Sequence, residues 1–221
     1  MSSGTAQALV LDFGGVMTKT MFETHAHTEA ALGLEAGALA WRGPFAPETD
    51  PLWQMMQNDE ISERDYWLDR TRQVGQLVGK RWSRMEDFVR QARGADPEAV
   101  IRPEAGRAIR AVHGAGFRLA ILSNELDLFY GADFCSRLPI LDLFETIVDA
   151  TYTKILKPDP RAYRAVLDAL GLPAEACVFV DDQKRNVEGA AAVGMRAVQF
   201  DVREPGQSYA EALLHFGLAF T

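Results

Sequence analysis

Five short apolar runs constrain the fold of this 221-residue chain more than any other feature: ALVLDF, FRLAILS, TIVDA, CVFVD and RAVQF, at residues 8–13, 117–123, 146–150, 177–181 and 196–200. They are nearly continuous in apolar character instead of alternating with polar residues, the pattern of strands covered on both faces. Amphipathic helical patterns separate the later ones. Residues 104–115 put Ala105, Ala108, Ile109 and Val112 on one stripe, and residues 158–170 do the same with Ala162, Val166 and Leu170. Strand and helix in alternation predict an α/β fold: a doubly wound parallel sheet with helices on both faces.

Residues 17 to 98 break that alternation. They contain no convincing strand and several helical stretches. Ser62 with Asp65 three residues later reads as a capping box, with Asp in place of the usual Glu or Gln. Beyond it, Trp82, Met85, Phe88, Val89 and Ala92 mark a second apolar stripe. The expected organisation is a core of residues 1–16 and 99–221 with an all-helical cap, residues 17–98, inserted after the first strand. Linkers are expected near 17–20 and 94–97, and there is no internal repeat or low-complexity tract. Trp41, Phe45, Trp53 and Met56 serve in such an insertion either as core or as contacts on its binding face.

A formal charge of −8 and a pI near 5.1 argue against a nucleic-acid binder, which needs a basic face to displace counterions. The opening MSSGTAQ has no basic segment leading into an apolar one, and no run approaches the roughly 20 apolar residues that span a bilayer. A cytoplasmic protein with no membrane partner is expected. Cys135 and Cys177 lack zinc or redox spacing and read as small buried hydrophobes. Lys80, Arg81 and Arg84 form a basic cluster of the kind that is usually a solvated surface.

Chemistry-bearing residues gather where strands end: Asp12, then Ser123 with Asn124, then Lys157 before Pro158, then Asp181 with Asp182. Each alone has an ordinary structural use, as a turn former, a helix cap, a loop entering a helix with proline at its first position, or a complement to a helix dipole. In an open α/β sheet, however, the carboxyl ends of the strands form one edge, the edge where ligands bind. The fold would bring these distant residues together there.

In order and spacing, VLDFGGV, LAILSNE, ILKPDP and VFVDDQKRNVEGA resemble the motifs of the haloacid dehalogenase superfamily of phosphatases and related hydrolases, and the resemblance covers nearly the whole chain. It implies that Asp12 is a nucleophile forming an aspartyl phosphate. It implies that Gly14, Gly15, Ser123, Asn124 and Lys157 bind the phosphoryl group, with Lys157 offsetting the repulsion between two anions. It further implies Mg²⁺ held by Asp12, the Gly14 carbonyl and Asp182, with Asp181 acting directly or through water. The substrate would be a small phosphorylated metabolite, and the oligomeric state is not implied.

One position departs from the pattern. Most phosphatases of that superfamily carry a second aspartate, their general acid and base, where Gly14 stands here. Glycine keeps the carbonyl for the metal but offers no side-chain proton. The deficit matters least for leaving groups that need no proton, so a bias toward acyl, aryl or anomeric sugar phosphates is expected. His25 and His27 follow closely and are the nearest substitute acids; the bland alternative puts both on a solvated helix face. Two rival readings stand beside the phosphatase. One is a 2-haloacid dehalogenase, whose branch also lacks the second aspartate but needs no carboxylate pair. The other is a non-catalytic protein that binds a phosphorylated ligand.

Overall fold

The computed structural model describes residues 6–93 and 98–220. The expected linker at 94–97 lies outside the described residues. All five apolar runs are strands: β1 Ala8–Leu11, β2 Arg118–Ser123, β3 Thr146–Asp149, β4 Cys177–Asp181 and β5 Arg196–Gln199. They form one parallel sheet in the order β3-β2-β1-β4-β5, with Leu9 opposite Leu119 on one side and Val178 on the other. The first strand in the sequence is therefore the central one.

Ten helices position the rest: α1 His25–Leu32, α2 Pro51–Gln57, α3 Glu63–Leu77, α4 Met85–Arg93, α5 Pro103–Gly114, α6 Leu126–Tyr130, α7 Ala150–Thr153, α8 Pro160–Leu170, α9 Lys184–Ala192 and α10 Pro205–Leu214, counted among the described residues. Among those residues the chain divides into two compact units. One holds the sheet and takes the segments up to Lys19, from Glu98 to Asp127 and from Cys135 onward. The other takes the segment that begins at Thr20, together with Leu128–Phe134.

In the sheet unit, Ala8, Val10, Ala120, Leu122 and Phe179 pack on Ala162, Tyr163, Val166 and Leu170 of α8 and Ala190 of α9. The alternate strand residues Leu9, Leu11, Leu119, Ile121, Val178 and Val180 point to the opposite face and are equally buried. On their side α5 and α10 pack together, α5 against β2 and α10 against β5. Each such large aliphatic side chain contributes about 1.5–3 kcal/mol by leaving water. The α5 stripe of Ala105, Ala108, Ile109 and Val112 is buried as its spacing predicts. Helix α8 begins at Pro160, two residues later than expected, because Asp159 is the better N-cap: its side chain accepts from the Arg161 N–H at 2.9 Å and Pro160 takes the first helical position.

The second unit is helical, with an aromatic core. Phe22 lies edge-on to Trp41 and Trp53, with ring centroids 5.4 and 5.2 Å apart, and Met56, Tyr66, Val74, Phe88 and Ala92 join them. Trp41, Trp53 and Met56 are thus core, whereas Phe45 is exposed. Both bonds of the Ser62–Asp65 capping box are present at the start of α3. Buried Asp50 organises the centre, accepting from the Trp53 N–H at 2.9 Å and the Tyr66 hydroxyl at 3.0 Å while paired with Arg70. Lys80, Arg81 and Arg84 are exposed, as a solvated surface requires.

His25 departs from the solvated-face expectation, while His27 is exposed. The His25 ring stands edge-on to Trp41 at 4.2 Å, and both ring nitrogens are buried without a hydrogen-bond partner among the described residues. Burial, with help from Arg42 and Arg70 and against Glu29 and Asp50, lowers its pKa to about 4. The unfolded chain takes up a proton near pH 6.5 that the folded one refuses, so this contribution to stability is complete above about pH 6.5 and is lost as the pH falls toward 4. The loss should be about 2–3 kcal/mol. Denaturant titrations from pH 7 to 4.5 should show the wild type weakening more than His25→Phe. His215, shifted the same way in the sheet unit, is common to both proteins. Parallel curves would refute the assignment.

Candidate active site

Asp12 immediately follows β1, and its N–H still donates to the Val180 carbonyl of β4 at 2.9 Å, which fixes the backbone at the strand end. The chain then turns through Phe13–Met17. Gly15 has φ +80°, a conformation that favours glycine. Gly14 has φ −72° and ψ 126°, open to any residue, and a Cβ placed there would meet nothing within 4 Å. The missing aspartate is therefore not excluded by backbone or by space.

Lys157 is buried, and its Nζ donates to Asp12 Oδ1 at 2.7 Å and to Asp181 Oδ2 at 2.6 Å. Burial works against its charge, but Asp12 and Asp181 outweigh that cost and hold its pKa above the ordinary lysine value. Oxygens of Asp12, Asp181 and Asp182 all lie within 4.8 Å of one another. Such an all-oxygen carboxylate set suits a hard divalent cation. The strand order reverses between β1 and β4, so these carboxylates flank the topological switch point.

Ser123 is buried at the end of β2. The Asn124 side chain acts on Lys157 and not on ligand: its Oδ1 accepts from the Lys157 N–H at 2.7 Å and its Nδ2 donates to the Lys157 carbonyl at 3.2 Å. That clamp sets where the lysine side chain starts. The structure thus brings Lys157, Asp12 and Asp181 into direct contact, adds Asp182 to the carboxylate group and ties Asn124 to the lysine backbone. His25 belongs to the core of the other unit.

Three contributors escaped the sequence. Asn186 Nδ2 donates to both oxygens of Asp181 at 3.1 Å, and the Gln183 N–H adds a further bond at 2.8 Å. Asp181 is held rigidly as a result. Asn186 has the same spacing on α9 as any polar helix residue, but it falls five after an aspartate that ends a strand, and that was the available signal. Asp149 ends β3 beside Ser123 and accepts from the N–H groups of Leu126, Asp127 and Thr151 at 3.2, 2.9 and 2.9 Å, anchoring the segment after Asn124. Arg102, just before α5, donates from Nε to the Gly15 carbonyl at 2.9 Å. Nothing in its sequence context distinguishes it from a surface arginine.

A lysine buried against carboxylates at the switch point of an open parallel sheet lies where α/β folds of this class bind their ligands. Sequence comparison narrows the class: the model of haloacid dehalogenase-like hydrolases matches residues 6–194, and the chain belongs to that family of hydrolases. Phosphatase MT3486 of Mycobacterium tuberculosis (strain CDC 1551 / Oshkosh) is 29% identical over 198 residues, covering 88% of this chain and 87% of that one. (S)-2-haloacid dehalogenase 1 of Pseudomonas sp. (strain CBS-3) is 28% identical over 181 residues, 77% and 78% of the two chains. Among solved structures, a crystal structure of a dehalogenase shares the fold with a TM-score of 0.63 at 21% identity, over 89% of this chain and 85% of that one.

Proposed function

We propose that this hydrolase cleaves small phosphate monoesters in a Mg²⁺-dependent reaction through an aspartyl phosphate on Asp12. The observation that carries the reading is the carboxylate group of Asp12, Asp181 and Asp182 around Lys157. A dehalogenase displacing halide from carbon would use Asp12 as its nucleophile but has no need of the Asp181–Asp182 pair, and a pure binder gains nothing from a bare nucleophilic carboxylate beside a phosphate dianion. The oxygen donors fit Mg²⁺, with Asp12, Asp182 and the Gly14 carbonyl as ligands. The hydrogen bonds already on Asp181 favour its acting through water. When bound, the cation supplies charge neutralisation between nucleophile and phosphoryl group.

Asp12 attacks phosphorus, forming an O–P bond as the bond to the leaving oxygen breaks. Lys157 stabilises the negative charge that accumulates between Asp12 and the phosphoryl oxygens. The Ser123 hydroxyl and the Asn124 N–H donate to those oxygens. Gly14 has no proton to give, so the leaving group departs as its anion, and water then cleaves the aspartyl phosphate to release inorganic phosphate and restore Asp12. His25 is no replacement acid, since it is neutral at pH 7. Good leaving groups are therefore favoured. In this reading the second unit is the cap that selects the substrate. No helix among the described residues is long and apolar enough to cross a membrane.

The test is phosphate release from aryl, acyl, sugar and alkyl phosphates with Mg²⁺ or with EDTA. Metal-dependent release that falls from aryl to alkyl esters is expected. Halide release from 2-haloacids without metal would establish the dehalogenase instead, and tight phosphate-ester binding without turnover would establish the binder.

A further inference from the structure

We propose that Arg102 is a positioning residue that holds the nucleophile loop in its metal-binding shape through the Gly15 peptide. The inference rests on the Mg²⁺ assignment above. Adjacent glycines give the loop after Asp12 more conformational freedom than any other pair of residues, and neither can anchor it by a side chain. Its main chain is anchored instead. Arg102 Nε donates to the Gly15 carbonyl at 2.9 Å, the Arg102 N–H donates to the Met17 carbonyl at 2.9 Å, and the Tyr209 hydroxyl donates to the Val16 carbonyl at 3.1 Å. Thr18 closes the turn from the other side, its N–H donating to the Phe13 carbonyl at 3.1 Å and its Oγ1 accepting from the Gly15 N–H at 3.4 Å.

Arginine is an expensive choice for such an anchor. Arg102 is only 2% exposed, with its guanidinium over the Phe200 ring at 5.6 Å, and a buried cation carries a desolvation cost that a neutral donor would avoid. What it offers is a charge-assisted bond, stronger and better directed than a neutral one. The Gly15 carbonyl belongs to the 15–16 peptide; with that peptide held by Arg102 and the 14–15 peptide held through the Gly15 N–H on Thr18, rotation about Gly15 is limited and the Gly14 carbonyl keeps its orientation. Partners placed behind metal ligands in this way typically change metal affinity or activity by about 10–100-fold when removed.

The experiment is calorimetric titration of wild type and Arg102→Met with Mg²⁺ alone, alongside steady-state kinetics on an aryl phosphate. Arg102→Met should bind Mg²⁺ at least ~10-fold more weakly, with kcat reduced and KM for the ester little changed. A folded variant with wild-type Mg²⁺ affinity would overturn the proposal, whatever its melting temperature. If Arg102→Met does not fold, Arg102→Lys keeps a buried cation without the directed Nε–H donor, and unchanged Mg²⁺ affinity in that variant overturns it equally. The titration needs no turnover, so the two readings separate. Wild-type Mg²⁺ binding weakened by the variant, with no phosphate release from any ester, supports the anchor and sinks the phosphatase; absence of wild-type Mg²⁺ binding sinks both.

Discussion

Gly14→Asp should make this enzyme faster on the esters it handles worst. The backbone at Gly14 is one that any L-residue adopts, and the space beyond its Cα is open, so the carboxyl group enters without strain. It would stand two residues from Asp12, itself one of three clustered carboxylates. Like charge raises its pKa, which is the direction a general acid needs. General acid–base catalysis is typically worth about 10²–10⁴-fold, and an unrefined acid should recover part of it. A rise of at least ~10-fold in kcat on an alkyl phosphate is expected, with a smaller rise on an aryl phosphate and a new basic limb in the pH profile. If both substrates respond equally, or neither responds, the loop does not present residue 14 to the leaving group and the leaving-group argument fails.

Asp12→Asn should abolish turnover while leaving the fold intact. Deleting a nucleophile typically costs on the order of 10⁴–10⁶-fold. The stability side follows from the ion pairs: without Asp12, Lys157 still donates to Asp181 at 2.6 Å, so no buried charge is stranded. Lys157→Met is the instructive contrast. It also removes activity, but it leaves Asp12 and Asp181 facing each other uncompensated, a change that typically costs about 3–5 kcal/mol. Thermal melts of the two variants, run beside their phosphate-release rates, should therefore separate. Comparable destabilisation in both would mean that Lys157 does not serve as the shared counter-ion.

Much of this was legible beforehand for definite reasons. Strands covered on both faces leave nearly unbroken apolar runs, and β1, β2 and β4 each deliver a polar residue at or just past the end. The α3 capping box also announced itself, because both of its partners lie within one turn. What stayed hidden depended on partners far away in the chain. Asn186 takes its meaning from Asp181, Asp149 from two N–H groups more than twenty residues earlier, and Arg102 from a glycine carbonyl before the long helical insertion. The burial of His25 was invisible because HAHTEAAL carries no apolar stripe, and its ring is taken inside by Trp41. At KPDP two prolines competed for the start of α8, and the intervening aspartate decided it.

Because β1 is first in sequence yet central in the sheet, its partners emerge late during synthesis: residue 118 for β2 and residue 177 for β4. Domains generally fold as units as the chain emerges, and unpaired apolar strands are the species that aggregate. Until then ALVL waits with both hydrogen-bonding edges bare. In the interval the buried residues Met21 to Ala92 of the helical unit emerge, with Leu128–Phe134 joining them after β2. For this chain, the hazard in production lies less in the finished molecule than in the delay before its first strand finds company.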